Sequence, residues 1–473
     1  MMTFSSLPLE TLERKTQVET MLMSANNDRR PLLDYLAKRL IPAVSIAVIN
    51  DYRIEWAAGY GSLESGQPAS IDTETLFQAC SMSKAVTAIA ALRLVEQGKL
   101  DLDADINTFL TSWKLPPHGS WQPYVTLRQL LSHTAGVSVA WYPGYHRDQN
   151  IPTLLEVLES DQLSNTPEVR VTSPPSLRFR YSGGGYCVVQ QVLMDVMQKP
   201  FPELMRELIF EPLEMHQSTY EQPLPAEKWG VAATGHRAGG KPVPGKWHIY
   251  PEMAAAGLWT TPSDFARFAL DLQFTKAGMP GRLLSPQMVN ELLTPQSNAG
   301  NRGEIGLGVF VHGIGNQARF GHAGDNTGFN CQWISLMDSG QGCVIMTNSD
   351  EGWRIVEKLE HIIAQVYEWP AVQSTDERRS VQDSADYDEY VGEYELRPDF
   401  LLTIRKAGSD LLLHVPQQAP LALTQVGNMV YQLANLEDTV TFLRNEQGTI
   451  DMLILQQEAS QLVARKHTAA QSS

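Results

Sequence analysis

Over residues 83–97 the apolar side chains Ala85, Val86, Ala88, Ile89, Ala90, Leu92, Leu94 and Val95 cover nearly the whole circumference of a helix. A helix with a polar face can lie on a surface, but one that is apolar all round has to be surrounded. The spacing therefore predicts a central, buried helix that Gly98 stops. Whatever this chain folds into must supply layers on every side of it.

Material for those layers lies at both ends of the chain. Residues 44–49, a turn at Asn50-Asp51-Tyr52, and residues 54–59 read as two strands with a tight connection. Far downstream, 331–337 and 342–348 are short, apolar and rich in branched or aromatic residues, and 353–367 reads as a helix. Between residues 101 and 324, helix-like pieces at 126–132, 188–198 and 262–273 alternate with Pro- and Gly-rich connections. The pattern predicts one sheet assembled from distant segments, an α/β layering in which the middle of the chain forms a helical lobe. After Trp369 the polar stretch 374–384 has no apolar periodicity and reads as a linker. Alternating segments at 401–405, 410–415, 429–433, 439–444 and 451–455, with turns at 406–410 and 445–448, predict a small all-β domain. The expected organisation is a first domain over 1–370, a linker over 371–386 and a β-domain over 387–473.

With 37 Lys and Arg against 53 Asp and Glu, the formal net charge is −16. That composition supplies no clustered basic surface for phosphate, so neither nucleic acid nor an anionic membrane is an expected partner. Cys80, Cys187, Cys331 and Cys343 sit at irregular spacings inside apolar stretches, which predicts buried free thiols and neither a disulfide framework nor a zinc site. No secretory pattern opens the sequence, and 40–49 is too short to span a bilayer and contains Pro42, so a cytoplasmic location is expected.

Three places can carry chemistry. Ser81 precedes the buried helix in Ser81-Met82-Ser83-Lys84, and Lys84 follows one turn later on the same face. A serine at a helix N-terminus is backed by backbone N–H groups, and a lysine buried beside it can shed its charge and take the hydroxyl proton. Such a string arises about once or twice by chance in a chain of this length. In Tyr181-Ser182-Gly183-Gly184-Gly185-Tyr186 a tyrosine stands ahead of three small residues that let its hydroxyl reach a cavity, although a glycine run beside an aromatic also reads as a simple loop. In Phe320-Gly321-His322-Ala323-Gly324-Asp325 glycines mark close backbone approach.

In this order the three elements resemble the family of class C β-lactamases, D-Ala-D-Ala carboxypeptidases and related esterases. The resemblance rests on S-x-x-K at Ser81 and Lys84, Y-S-x at Tyr181 to Gly183, and an H-x-G variant of K-T-G at His322 to Gly324. Residues 126–136 and 255–268 look like other recurrent passages of that family, and the segment from Tyr390 looks like the lipocalin-like β-domain often appended to it. The resemblance implies an antiparallel sheet flanked by helices plus a helical lobe. It implies Ser81 as nucleophile, Lys84 and Tyr181 sharing the proton transfers, and backbone N–H groups of Ser81 and Asp325 as oxyanion hole. Gly183, His322 and Gly324 would bind or orient substrate, and no cofactor or metal is implied. Gly183 stands where many β-lactamases carry asparagine, and His322 where they carry lysine. Weight therefore moves to an esterase or D-amino-acid peptidase acting on a small ester, amide or peptide, with a β-lactamase, an acyltransferase and an inactive ligand-binding protein as alternatives.

Competing motifs fail on their residues. Gly136-Val137-Ser138-Val139-Ala140 lacks the last glycine of a nucleophile elbow, and Asp101-Leu102-Asp103-Ala104-Asp105 lacks the glycine of a calcium loop and reads as an acidic turn. His133, in Ser132-His133-Thr134, reads as structural.

Overall fold

A computed structural model describes residues 7–23, 29–117, 122–176, 179–370, 389–397, 400–407, 410–416, 420–427, 429–433, 439–445, 449–457 and 460–467. The expected linker at 371–386 lies outside the described residues. The chain divides into two compact units, Met1–Val372 and Gln373–Ser473.

In the first unit, β1 (Ala43–Asn50) and β2 (Arg53–Gly61) form a hairpin. Its turn residues Asp51 and Tyr52 both take left-handed φ, 49° and 56°, as the twist of a two-residue hairpin loop demands. The later strands are β3 (Ser297–Asn298), β4 (Glu304–Ile305), β5 (Phe310–His312), β6 (Arg319–Asn326), β7 (Phe329–Leu336) and β8 (Gly342–Thr347). They join the hairpin in the order β2-β1-β8-β7-β6-β5-β4-β3, every pair antiparallel. The two ends of the chain thus meet at β1 and β8, where Ile46 faces Ile345. All eight positions of β1 are buried, which requires cover on both faces of the sheet.

Helix α1 (Ser83–Glu96) is buried at every residue from Ser83 to Leu92, the central placement its apolar circumference predicts. Helix α2 (Gly183–Met197) begins five residues earlier than the apolar pattern at 188–198 indicates. The glycine run is the first turn of this helix and not a loop. Ser182 caps it, accepting the Gly185 N–H, and a Cβ on Gly184 would stand 2.6 Å from the Ser138 carbonyl oxygen. Close backbone approach therefore overrides the low helix propensity of glycine. Short α3 (Met253–Ala256) packs on α1 and α2, α4 (Pro262–Lys276) covers one face of the sheet, and α5 (Trp353–Val366) covers the other. Each face has its own apolar core, one around Trp259, Phe265 and Trp333, the other around Ile46, Ile355 and Leu359.

The second unit is a closed barrel of eight antiparallel strands, from Gly392–Arg397 to Ser460–Lys466, with Tyr394 opposite Lys466 at the closure. Tyr394, Tyr431, Phe442 and Leu453 fill it. Five of these strands carry the predicted alternation. Gly392–Arg397, Leu421–Gly427 and Ser460–Lys466 are additional to it. All four cysteines are buried and free. Among the described residues no helix is long and apolar enough to cross a membrane.

Candidate active site

Cys80–Met82 form a single 3-10 turn that runs into α1. Ser83 fixes this turn: its hydroxyl donates to the Cys80 carbonyl at 2.5 Å and accepts the Leu258 N–H at 3.1 Å. Cys80 and Met82 are buried, and Ser81 between them remains partly exposed. The turn thus presents one hydroxyl and hides its neighbours.

Lys84 is only 2% exposed. Burying an ammonium is costly unless its donors are matched, and here Nζ donates to Ser81 Oγ at 3.0 Å and to the Ala255 carbonyl at 2.8 Å. The aromatic faces of Tyr181 and Tyr186 lie 5.0 and 5.8 Å from Nζ, close enough for cation–π attraction. Ala255 belongs to α3, which Gln190 of α2 positions by donating to the Pro251 carbonyl at 3.1 Å and accepting the Ala254 N–H at 2.9 Å.

Tyr181 immediately precedes the cap of α2. One side of its ring meets His133, with centroids 4.3 Å apart, and His322 lies at 6.5 Å. The guanidinium carbon of Arg302 stands 5.3 Å from the Tyr181 ring centre, with no carboxylate partner among the described residues. The two histidines carry opposite tautomers. His322 Nδ1 is 2.5 Å from the Ala323 carbonyl oxygen and therefore holds the proton, leaving Nε2 a buried acceptor without a partner among the described residues. His133 Nδ1 accepts the Ser182 N–H at 3.0 Å, so its proton sits on Nε2, also buried and unpartnered. Burial first, then the charge of Lys84, lowers the pKa of His322 to about 3 and holds that of His133 well below the usual imidazole range.

The segment containing His322 is itself a strand, β6, because its alternate residues pair with β7. Strand β5 pairs with β6 only at Arg319, Phe320 and Gly321, so residues 322–326 have no strand partner on that edge among the described residues. Gly324 brings this backbone to the Ser81 turn: a Cβ there would lie 2.7 Å from the Ala79 oxygen, the Cys80 Cβ and the Cys331 sulfur. Asp325 follows Gly324 directly in β6, opposite Asn330 of β7. A Cβ at Gly183 would lie 3.0 Å from Cε2 of Tyr142 and 3.2 Å from the Ala140 oxygen. The Tyr142 ring thus crowds the point where a side chain at position 183 would begin.

Ser81, Lys84, Tyr181, His322 and Gly324, widely separated in sequence, are brought into one cluster, with Gly183 packed against Tyr142. A profile of the family described as Beta-lactamase matches residues 30–368. The chain belongs to the Beta-lactamase family. Members are serine hydrolases that act on amide or ester bonds, and this chain is one of that class. Penicillin-binding protein 4* of Bacillus subtilis (strain 168) is 22% identical over 428 residues, 86% of this chain and 91% of that protein. The crystal structure of SurE with D-Leu matches with a TM-score of 0.61 at 21% identity, covering 97% of this chain and 99% of that one. The octameric penicillin-binding protein homologue from Pyrococcus abyssi matches at 0.63 and 20% identity, covering 91% and 98%. At these identities the structures establish the fold alone: a β-lactamase-like sheet and helices followed by a β-barrel.

Four participants in the geometry escape motif reading. His133 and the Ala255 carbonyl lie inside the recurrent passages, where the repetition itself is the signal. Gln190 shows as one of three polar residues, with Gln191 and Asp195, buried in a largely apolar helix. Arg302 has no sequence signal, because a short turn brings it to Tyr181.

Proposed function

We propose that the protein hydrolyses esters or amides of small acyl groups, D-aminoacyl groups among them, through an acyl-enzyme on Ser81. The observation that carries this is the 3.0 Å contact between buried Lys84 Nζ and Ser81 Oγ. As Oγ attacks the carbonyl carbon, the Ser81 proton passes across the same contact to the amine of Lys84. The carbonyl oxygen becomes an oxyanion, which the N–H groups of Ser81 and Asp325 stabilise. Lys84 and Tyr181 return the proton to the leaving oxygen or nitrogen as its bond to the acyl carbon breaks. Water then attacks the ester, and Ser81 Oγ leaves with a proton. His322 orients substrate from its place beside Tyr181, and the exposed Arg302 is an anchor for a carboxylate on the leaving side.

Two features favour this over β-lactam turnover: the Tyr142 ring crowds the space beside Gly183, and a neutral histidine replaces a lysine charge. That SurE was crystallised with D-Leu supports a D-amino acid next to the scissile bond. The closed barrel supports the lipocalin-like reading of residues 387–473. Turnover of nitrophenyl esters, D-amino-acid amides and nitrocefin tests the substrate class, with esters and D-amino-acid amides expected to exceed nitrocefin. Lys84→Ala, shown to be folded, should lower ester kcat by about 10²–10⁴-fold. Wild-type turnover in that variant would remove Lys84 from the mechanism.

A further inference from the structure

The peptide N–H groups on either side of Tyr181 are both held by one residue, His133. The peptide N–H before it, that of Arg180, donates to the main-chain oxygen of His133 at 2.8 Å. The N–H after it, that of Ser182, donates to His133 Nδ1 at 3.0 Å. Between these two bonds the His133 ring lies against the Tyr181 ring, tilted by 35° with centroids 4.3 Å apart. His133 is 2% exposed and holds φ at 56°, a left-handed conformation that costs a non-glycine residue unless its surroundings enforce it. That twist is what aims the carbonyl and the side chain of one residue at two successive N–H groups of another segment. Leu130 and Thr134 hold the twist in place: His133 N donates to the Leu130 oxygen at 3.3 Å, and the Thr134 oxygen accepts the Ser176 N–H at 2.7 Å.

We propose that His133 is a positioning residue, which grips the main chain on both sides of Tyr181 and so sets where its hydroxyl stands relative to Lys84 and Ser81. The proposal rests on the proton-transfer role given to Tyr181 above. The grip requires an unprotonated Nδ1. The titratable and charged groups facing the ring are Lys84, His322 and Arg302, together with the phenols of Tyr181 and Tyr186, and no carboxylate is among them. Burial first, then the neighbouring Lys84, His322 and Arg302, disfavour an imidazolium and so favour the acceptor form of Nδ1. A misplacement of about 1 Å at a reacting group costs on the order of 10²-fold in rate, which is the effect expected when the grip is released.

Two substitutions separate the acceptor from the ring. His133→Asn keeps an acceptor at the position of Nδ1 and tolerates left-handed φ, whereas His133→Phe keeps a ring against Tyr181 and deletes the acceptor. Ester kcat and KM across pH, with thermal stability in parallel, should show His133→Asn within about fivefold of wild type and an unchanged pH profile. His133→Phe should lose about 10²-fold in kcat with KM within about twofold, and its pH profile should shift. In a Tyr181→Phe background His133→Phe should cost nothing further, because residues acting as one unit are non-additive. A folded His133→Asn that falls to about one hundredth of wild type overturns the proposal, and so does full multiplicativity with Tyr181→Phe. Wild-type kcat in Tyr181→Phe contradicts the role of Tyr181 and removes the proposal with it. Loss in Tyr181→Phe with an unaffected His133→Phe overturns the proposal alone.

Discussion

Charge at this site is governed by burial, residue by residue. Lys84 keeps its place because hydroxyl, carbonyl and ring faces surround Nζ. Glu252 is a contrasting case two residues before Ala254. Fully buried, it has no hydrogen-bond partner for either carboxyl oxygen among the described residues, and burial raises its pKa from 4.5 to about 8. Between those values the folded chain holds a proton that the unfolded chain has released. Stability is therefore complete below pH 4.5 and declines as pH rises to about 8, in total by on the order of 5 kcal/mol. Glu252→Gln, always neutral, should flatten this decline, leaving the melting temperature unchanged at pH 5 and raising it at pH 9. Equal melting temperatures at pH 9 would show that Glu252 ionises freely. Of the candidate site, Ser81, Lys84, Tyr181 and His322 can be nominated from sequence because reacting groups need particular residue types at particular spacings. Arg302 and Glu252 are not, since an exposed arginine and an unpaired carboxyl become meaningful only when tertiary packing defines their neighbours.

At the scale of elements, the site is a meeting of α1, the start of α2, α3 and the free edge of β6. The apolar circumference at 83–97 foretells a central helix, and α1 is one. The glycines at 183–185 mislead for a physical reason: low helix propensity reads as loop, and here it is outweighed by the need for Ser138 and Tyr142 to come close. Gly324 serves the same purpose between β6 and the Ser81 turn. Gly324→Ala places a methyl 2.7 Å from three atoms, two of them in the Ala79–Cys80 segment. Overpacking of this kind costs about 1–3 kcal/mol, and separating β6 from Ser81 should slow acylation by about 10²-fold. Single-turnover kinetics would show it. Acylation within about twofold of wild type would mean that β6 does not contribute to the reaction.

The whole molecule comprises two units, each with its own apolar core. Calorimetry of the intact chain should resolve two unfolding steps, and covalent occupation of Ser81 should raise the midpoint of one only, because a ligand stabilises the unit it binds. One step that shifts as a whole would mean the units unfold together. The alternation in five strands suffices to announce the second unit as all-β, whereas closure into a barrel depends on pairing Tyr394 with Lys466, a contact between the ends of that unit that local pattern cannot carry.

The central claim is a nucleophilic Ser81 activated by Lys84. Intact-mass measurement after exposure to a fluorophosphonate tests it most directly. One adduct per chain is expected, mapped to Ser81, absent from Ser81→Ala and formed far more slowly in folded Lys84→Ala. No adduct on the wild-type chain, or the same adduct on Ser81→Ala, would contradict it.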